Sequence, residues 1–148
     1  MSLLLVVGAA LAGLASPPQA ASAAGCERPS EVVRLGFSQA EYPNIRRHFK
    51  RAVRHGWPRT LVVNRRNEEE RRYRLLRDVP TRDGFDRDEY PPAVGRGRGP
   101  RLERGHDPRG WKAHVRYVPS SENRSHGASM GNQLRPYCNG TRFRYVFR

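Results

Sequence analysis

The first two dozen residues take themselves out of the fold. "MSLLLVVGAALAGLASPPQAASAA" holds an apolar run from Leu3 to Leu14, then Ser16-Pro17-Pro18, then small residues. That is the order of a secretory signal, with small residues placed for cleavage after Ala23 or Ala24. The only positive charge ahead of the run is the amino terminus. The run is too short to span a bilayer, so no stable membrane span is expected. The reading is a cleaved signal over 1–24, a mature domain over 25–148, and an exported protein. Lipoprotein anchoring at Cys26 is the minor alternative, although Ala23 rather than leucine stands three residues before that cysteine.

Losing the leader removes much of the apolar content. Hydrophobic residues are 36% of the 148, but many sit in the discarded segment. What remains is roughly 125 residues, the size of one domain. It keeps both cysteines, Cys26 and Cys138. In an exported chain two cysteines most simply pair, which here would tie the mature N-terminus to the segment before the last strand. Two free thiols are the alternative.

Charge restricts the partners. Lys and Arg total 28 against 14 Asp and Glu, a formal net charge of +14, and only Lys50 and Lys112 are lysines. Guanidinium forks suit phosphate, and such a charge draws polyanions in a salt-dependent way. Nucleic acid is the obvious partner. A membrane surface fits less well, because the basic residues follow no amphipathic helix with a large apolar face.

The pattern along the chain predicts a small α+β domain with a mostly antiparallel sheet. Residues 25–37, "GCERPSEVVRLGF", read as an entry segment. "SQAE" at Ser38–Glu41 has the capping-box form, and Ile45, Phe49 and Val53 follow at helical spacing. "HGWP" at His55–Pro58 ends that helix, and "TLVV" at Thr60–Val63 reads as a strand. "NRRNEEE" reads as a charged turn and "RRYRLLR" at Arg71–Arg77 as a returning strand, with a helix left open there. Gly95 to Gly110 is Gly/Arg-rich. "AHVRYV" alternates as a strand, and "SSENRSHGASMGNQL" is polar, turning helical towards Leu134. "TRFRYVFR" closes the chain as a half-buried strand, Phe143, Tyr145 and Phe147 on one face and Arg142 and Arg144 on the other.

Two polar clusters stand out. "FDRDEYPPA" puts Asp86, Asp88 and Glu89 just before Tyr90-Pro91-Pro92. Proline favours extended geometry before it, so these acids sit on a fixed edge. There they can pair with arginines, act as a general base or ligate a hard metal. "ENRSHGASMGNQL" adds Glu122, Asn123, His126, Asn132 and Gln133, oxygen-rich and spaced by glycines. His48, His55 and His114 read as surface or helix-end residues.

"DRDEYPPA", then "VRYVPSSENRSHGASMGNQL" and "YCNGTRF", resembles the NucA/NucB family of secreted bacterial deoxyribonucleases over roughly Asp83 to Phe147. The resemblance implies a core related to the ββα-metal, or His-Me finger, endonucleases. It implies one divalent metal (Mg²⁺ or Mn²⁺, with Ca²⁺ as a further choice) and hydrolysis of DNA phosphodiesters by a monomer, with little sequence preference. Carried over, Asp88 is the general base and Glu89 its supporting carboxylate. Arg87 or Arg124 neutralises the phosphate, and Glu122 and Asn123 form the metal side. His126 and Gln133 are secondary candidates. The family often has Asp where this chain has Glu122, and its residues vary at the position of His126. A protein inhibitor is a further partner to consider. "ERGH" at Glu103–His106 is similar to the "DRGH" motif of larger nonspecific nucleases, which makes His106 the rival base. A non-catalytic DNA-capture module is the alternative function, and nothing in the residues separates DNA from RNA.

Overall fold

The computed structural model describes residues 25–96 and 113–148; the leader, the rival base His106 and the rest of 97–112 lie outside the described residues. In chain order the elements are β1 (Val33–Phe37), α1 (Pro43–Arg54), β2 (Leu61–Val62), α2 (Glu68–Leu76), β3 (Phe85–Tyr90), a 3₁₀ turn (Ala93–Gly95), β4 (His114–Pro119), α3 (Ser120–Leu134) and β5 (Arg142–Phe147). The class is α+β, as the pattern predicts.

The closing alternation organises the larger sheet. β5 lies between β1 and β2, parallel to the first and antiparallel to the second. Its Phe143 and Tyr145 are buried while Arg142 and Arg144 face water. Leu35 and Phe37 of β1, Ile45 of α1, Leu61 of β2, Val118 of β4 and Leu134 of α3 join them in one core. β3 and β4 form a separate antiparallel ribbon. Two of the three strand pairings are therefore antiparallel. The entry segment, to which the pattern assigns no element, ends in β1: "VRLGF" alternates, burying Leu35 and Phe37.

α2 settles the choice left open for "RRYRLLR" in favour of helix, and it starts earlier, inside the expected turn. Glu68, Glu69 and Glu70 fill its first turn, where carboxylates suit the positive end of the helix dipole. Glu68 and Glu70 each pair with the arginine four residues on, Arg72 and Arg74. Its run contains no β-branched residue to favour a strand.

The predicted cap of α1 is also displaced. Ser38 Oγ does accept the Glu41 N–H at 3.1 Å, but this closes a turn ahead of the helix. Pro43 occupies the first helical turn and has no N–H to satisfy. The free N–H groups of Asn44 and Ile45 are taken by a carboxylate from α3, described below. The Cys26–Cys138 disulfide is present, spanning 112 residues. Beside it Glu27 exchanges backbone hydrogen bonds with Pro136 and Cys138. No helix among the described residues is long and apolar enough to cross a membrane.

Candidate active site

β3, β4 and α3 place the two polar clusters against each other. Strand alternation divides the acids of "FDRDEY" between two faces. Asp86 and Asp88 turn towards α3 and α1, whereas Arg87 and Glu89 turn towards α2. The free edge of β3 lines a cleft of about 410 Å³, with Asp86, Asp88, Asn123, Arg124 and His126 among its walls.

Asp88 is held from behind. His48, on α1 and 4% exposed, meets Asp88 Oδ2 through Nδ1. A carboxylate can only accept, so Nδ1 carries the proton. The other ring nitrogen of His48 lies 2.9 Å from His114 Nδ1 and 3.0 Å from the His114 carbonyl. Burial, helped by His48, His55 and two arginines, pushes the His114 pKa down to about 4, so it adds no charge here at neutral pH. The Asp88 side chain keeps 17% exposure towards the cleft.

Glu89 does not lie beside Asp88 as a partner carboxylate. It is buried on the opposite face, where Oε1 accepts weakly from Arg72 Nε at 3.4 Å and from the Ala93 N–H at 3.3 Å. Burial, then the Asp88 charge, raises its pKa to about 7. Arg87 is likewise engaged: Nη1 donates to the carbonyls of Leu76 and Val79, closing the end of α2. Arg124 is the arginine at the cleft mouth, its side chain 76% exposed and its Nε 3.2 Å from Asp86 Oδ2. Asp86 also accepts from Ser120 Oγ at 2.7 Å and from Asn123 Nδ2 at 3.5 Å. Burial pushes Asp86 upward, but these hydrogen bonds and Arg124 outweigh it and leave the pKa below its ordinary value.

Glu122 is turned away from Asn123, its neighbour in sequence. Its Oε1 accepts from the N–H groups of Asn44 and Ile45 at 2.7 and 2.9 Å, and its Oε2 from Asn44 Nδ2 at 2.7 Å. It is the cap of α1. Gln133 stands apart from the cleft too, pairing its amide with both backbone groups of Gly36 along the outer edge of β1. His126 does line the cleft, packed among Phe37, Tyr42 and Tyr145. Burial holds its pKa down, and its Nε2 has no partner among the described residues.

No family model matches the chain. It is 32% identical over 114 residues to the "DNA-entry nuclease" of Bacillus subtilis (strain 168), an alignment covering 77% of this chain and 70% of that one. The chain belongs to the NucA/NucB nuclease family.

Of the residues that the family resemblance singles out, the cleft gathers Asp88, Asn123, Arg124 and His126, with Arg87 and Glu89 on its far wall. Glu122 and Gln133 stand outside that lining, engaged by α1 and β1. His48 is a correction. It is neither a surface nor a helix-end residue, and it makes the closest contact to Asp88. Its signal was available in the sequence, because Ile45, His48 and Ala52 share the buried face of α1.

Among the described residues no group of three or more His, Cys, Asp or Glu side chains is arranged to hold an ion. The cleft instead offers oxygen donors from Asp86, Asp88 and Asn123. A hydrated ion of the Mg²⁺ type needs only one or two carboxylates and completes its shell with water and substrate phosphate. The residues present fit an ion held in that manner.

Proposed function

We propose that this NucA/NucB protein is an exported, metal-dependent endonuclease that hydrolyses DNA phosphodiesters without reading sequence, with Asp88 as general base. The observation that carries the reading is the Asp88 carboxylate itself. One oxygen is fixed by a buried imidazole, and the group still reaches a cleft lined by an amide and an exposed arginine. The succession of two strands and a helix, β3, β4 and α3, also suits the ββα-metal type of core. The relative's name, "DNA-entry nuclease", supplies the substrate class.

Each residue then has a task. Asp88 takes the proton from a water at the unfixed oxygen. His48 Nδ1–H keeps the carboxylate from rotating and supports its charge. Arg124 is placed to meet a phosphoryl oxygen, at the expense of its exposed pairing with Asp86. Asn123, with Asp86, would hold one Mg²⁺ or Mn²⁺, which when bound neutralises charge on the phosphate and its leaving oxygen. Glu122 is left out of that donor set, since reaching an ion would uncap α1.

Plasmid nicking tests this. Wild type should cut with Mg²⁺ or Mn²⁺ and stop in chelator, and Asp88→Asn should bind DNA and cut at least a hundredfold more slowly. Wild-type rates from Asp88→Asn would refute the assignment. DNA binding by the wild type that persists in chelator, with no nicking in either metal, would favour the capture module.

A further inference from the structure

A second groove lies along β4, on the side of the ribbon away from β3. It encloses about 250 Å³ between α1 and β4, and Arg47, Arg51, Arg54 and Arg116 line it, with His48 among its lining. All four arginines are exposed. None of them pairs with a carboxylate among the described residues. Several arginines elsewhere do find partners: Arg72, Arg74 and Arg124 pair with acids, and Arg65, Arg71 and Arg87 donate to carbonyls, whereas exposed Arg34 and Arg144 have no carboxylate partner among the described residues either but line no such groove with two more.

Four like charges around one groove repel one another, so their placement calls for a reason. Arg51 and Arg54 occupy the last turn of α1, where cations suit the helix dipole. That accounts for neither Arg47, a turn earlier, nor Arg116, on another element. Arg47, Arg51 and Arg54 recur at helical spacing over about 10 Å, roughly three nucleotide steps of one strand of a duplex. Arg116 stands directly opposite Asp88 in the β3–β4 register. The groove therefore begins one strand over from the candidate base.

We propose that this groove is a strand-holding subsite, in which the four arginines grip the phosphodiester backbone beside the segment being cut. The identity of the strand rests on the nuclease reading above; the grip does not depend on which residue is the base. The contacts are to phosphates, so they fix register and carry no sequence preference.

Salt-dependent binding of a short labelled DNA duplex, measured in chelator so that no cutting intervenes, tests the proposal. Arg51→Gln/Arg54→Gln and, separately, Arg47→Gln/Arg116→Gln should each lower the slope of log affinity against log salt by about 1.8, at about 0.9 per phosphate contact. Arg34→Gln/Arg144→Gln removes the same charge from exposed positions paired across β1 and β5, and should leave the slope unchanged. An equal fall in that control, or no fall in either groove variant, overturns the proposal. So does arginine-dependent binding to anionic vesicles but not to the duplex. Thermal unfolding of each variant checks that it is folded, and the two groove pairs draw on different elements, so one misfolded variant leaves the other decisive. If the slopes shift as expected while wild type cuts nothing, the groove stands and the catalytic reading falls.

Discussion

Glu122→Ala separates two roles for one carboxylate. As a metal ligand its loss would weaken ion binding and leave the fold alone. As the cap of α1 its loss should be felt in stability first. The side chain accepts three hydrogen bonds, at 2.7, 2.7 and 2.9 Å. Bonds to a charged acceptor are worth about 1.5–3 kcal/mol each, which sets a ceiling rather than the expected loss. The Asn44 amide is only half-buried and regains water in the variant. Ile45 is 2% exposed, and its N–H is left with no acceptor. One orphaned buried donor costs about 1–3 kcal/mol, and loss of a cap about 1 kcal/mol. The sum is about 3 kcal/mol, a large share of the 5–15 kcal/mol typical of a domain. Urea unfolding should show that loss, and the melting temperature should fall by about 12 °C. Glu122→Gln keeps an oxygen for the two N–H groups and should lose less than half as much. A Glu122→Ala protein within about 0.5 kcal/mol of wild type, whose Mg²⁺ titration has weakened, would refute the cap and return Glu122 to the cleft.

Other outcomes are as definite. His48→Ala should cut kcat about a hundredfold with KM little changed, because the carboxylate loses its orientation, and His48→Asn, which restores a donor, should recover part of it. Glu89 holds its proton to about pH 7 when folded against an ordinary 4.5, so between those values the folded state binds the extra proton and stability falls as pH rises. That loss is about 3 kcal/mol and is complete above pH 7; Glu89→Gln should remove it, and unfolding curves of both proteins at pH 5 and pH 8 that differ from each other equally at the two values would contradict it. Reducing Cys26–Cys138 opens a loop spanning 112 residues and should cost about 5 kcal/mol in chain entropy, read as the shift in urea midpoint with and without reductant.

What the sequence reveals of this fold follows from how local each cause is. β4 and β5 lie in alternating sequences that mark them by their side chains alone, whereas "FDRDEY" of β3 is signalled only by the prolines that follow it. β1 alternates too, but its five residues gain a partner only from the other end of the chain, as a parallel neighbour of β5. α2 is hidden because "RRYRLLR" suits either state until the three glutamates before it are taken as a helix start. The site divides in the same way. Asp88 is conspicuous in its motif, yet its partner lies 40 residues away, and the cap supplied by Glu122 reaches across 77 and 78. Those distances also bear on the chemistry. In a chain with twice as many basic as acidic residues, an acid meets arginine by default. Asp86 meets Arg124 and Glu89 meets Arg72; a guanidinium stays charged at any working pH and favours the ionised carboxylate, a pull that prevails at Asp86 and is outweighed by burial at Glu89. Asp88 meets histidine instead, across a contact that only the packing of α1 on β3 can make. An imidazole can hold the carboxylate in place without the permanent positive charge of a guanidinium beside it, which suits the general-base role proposed for Asp88.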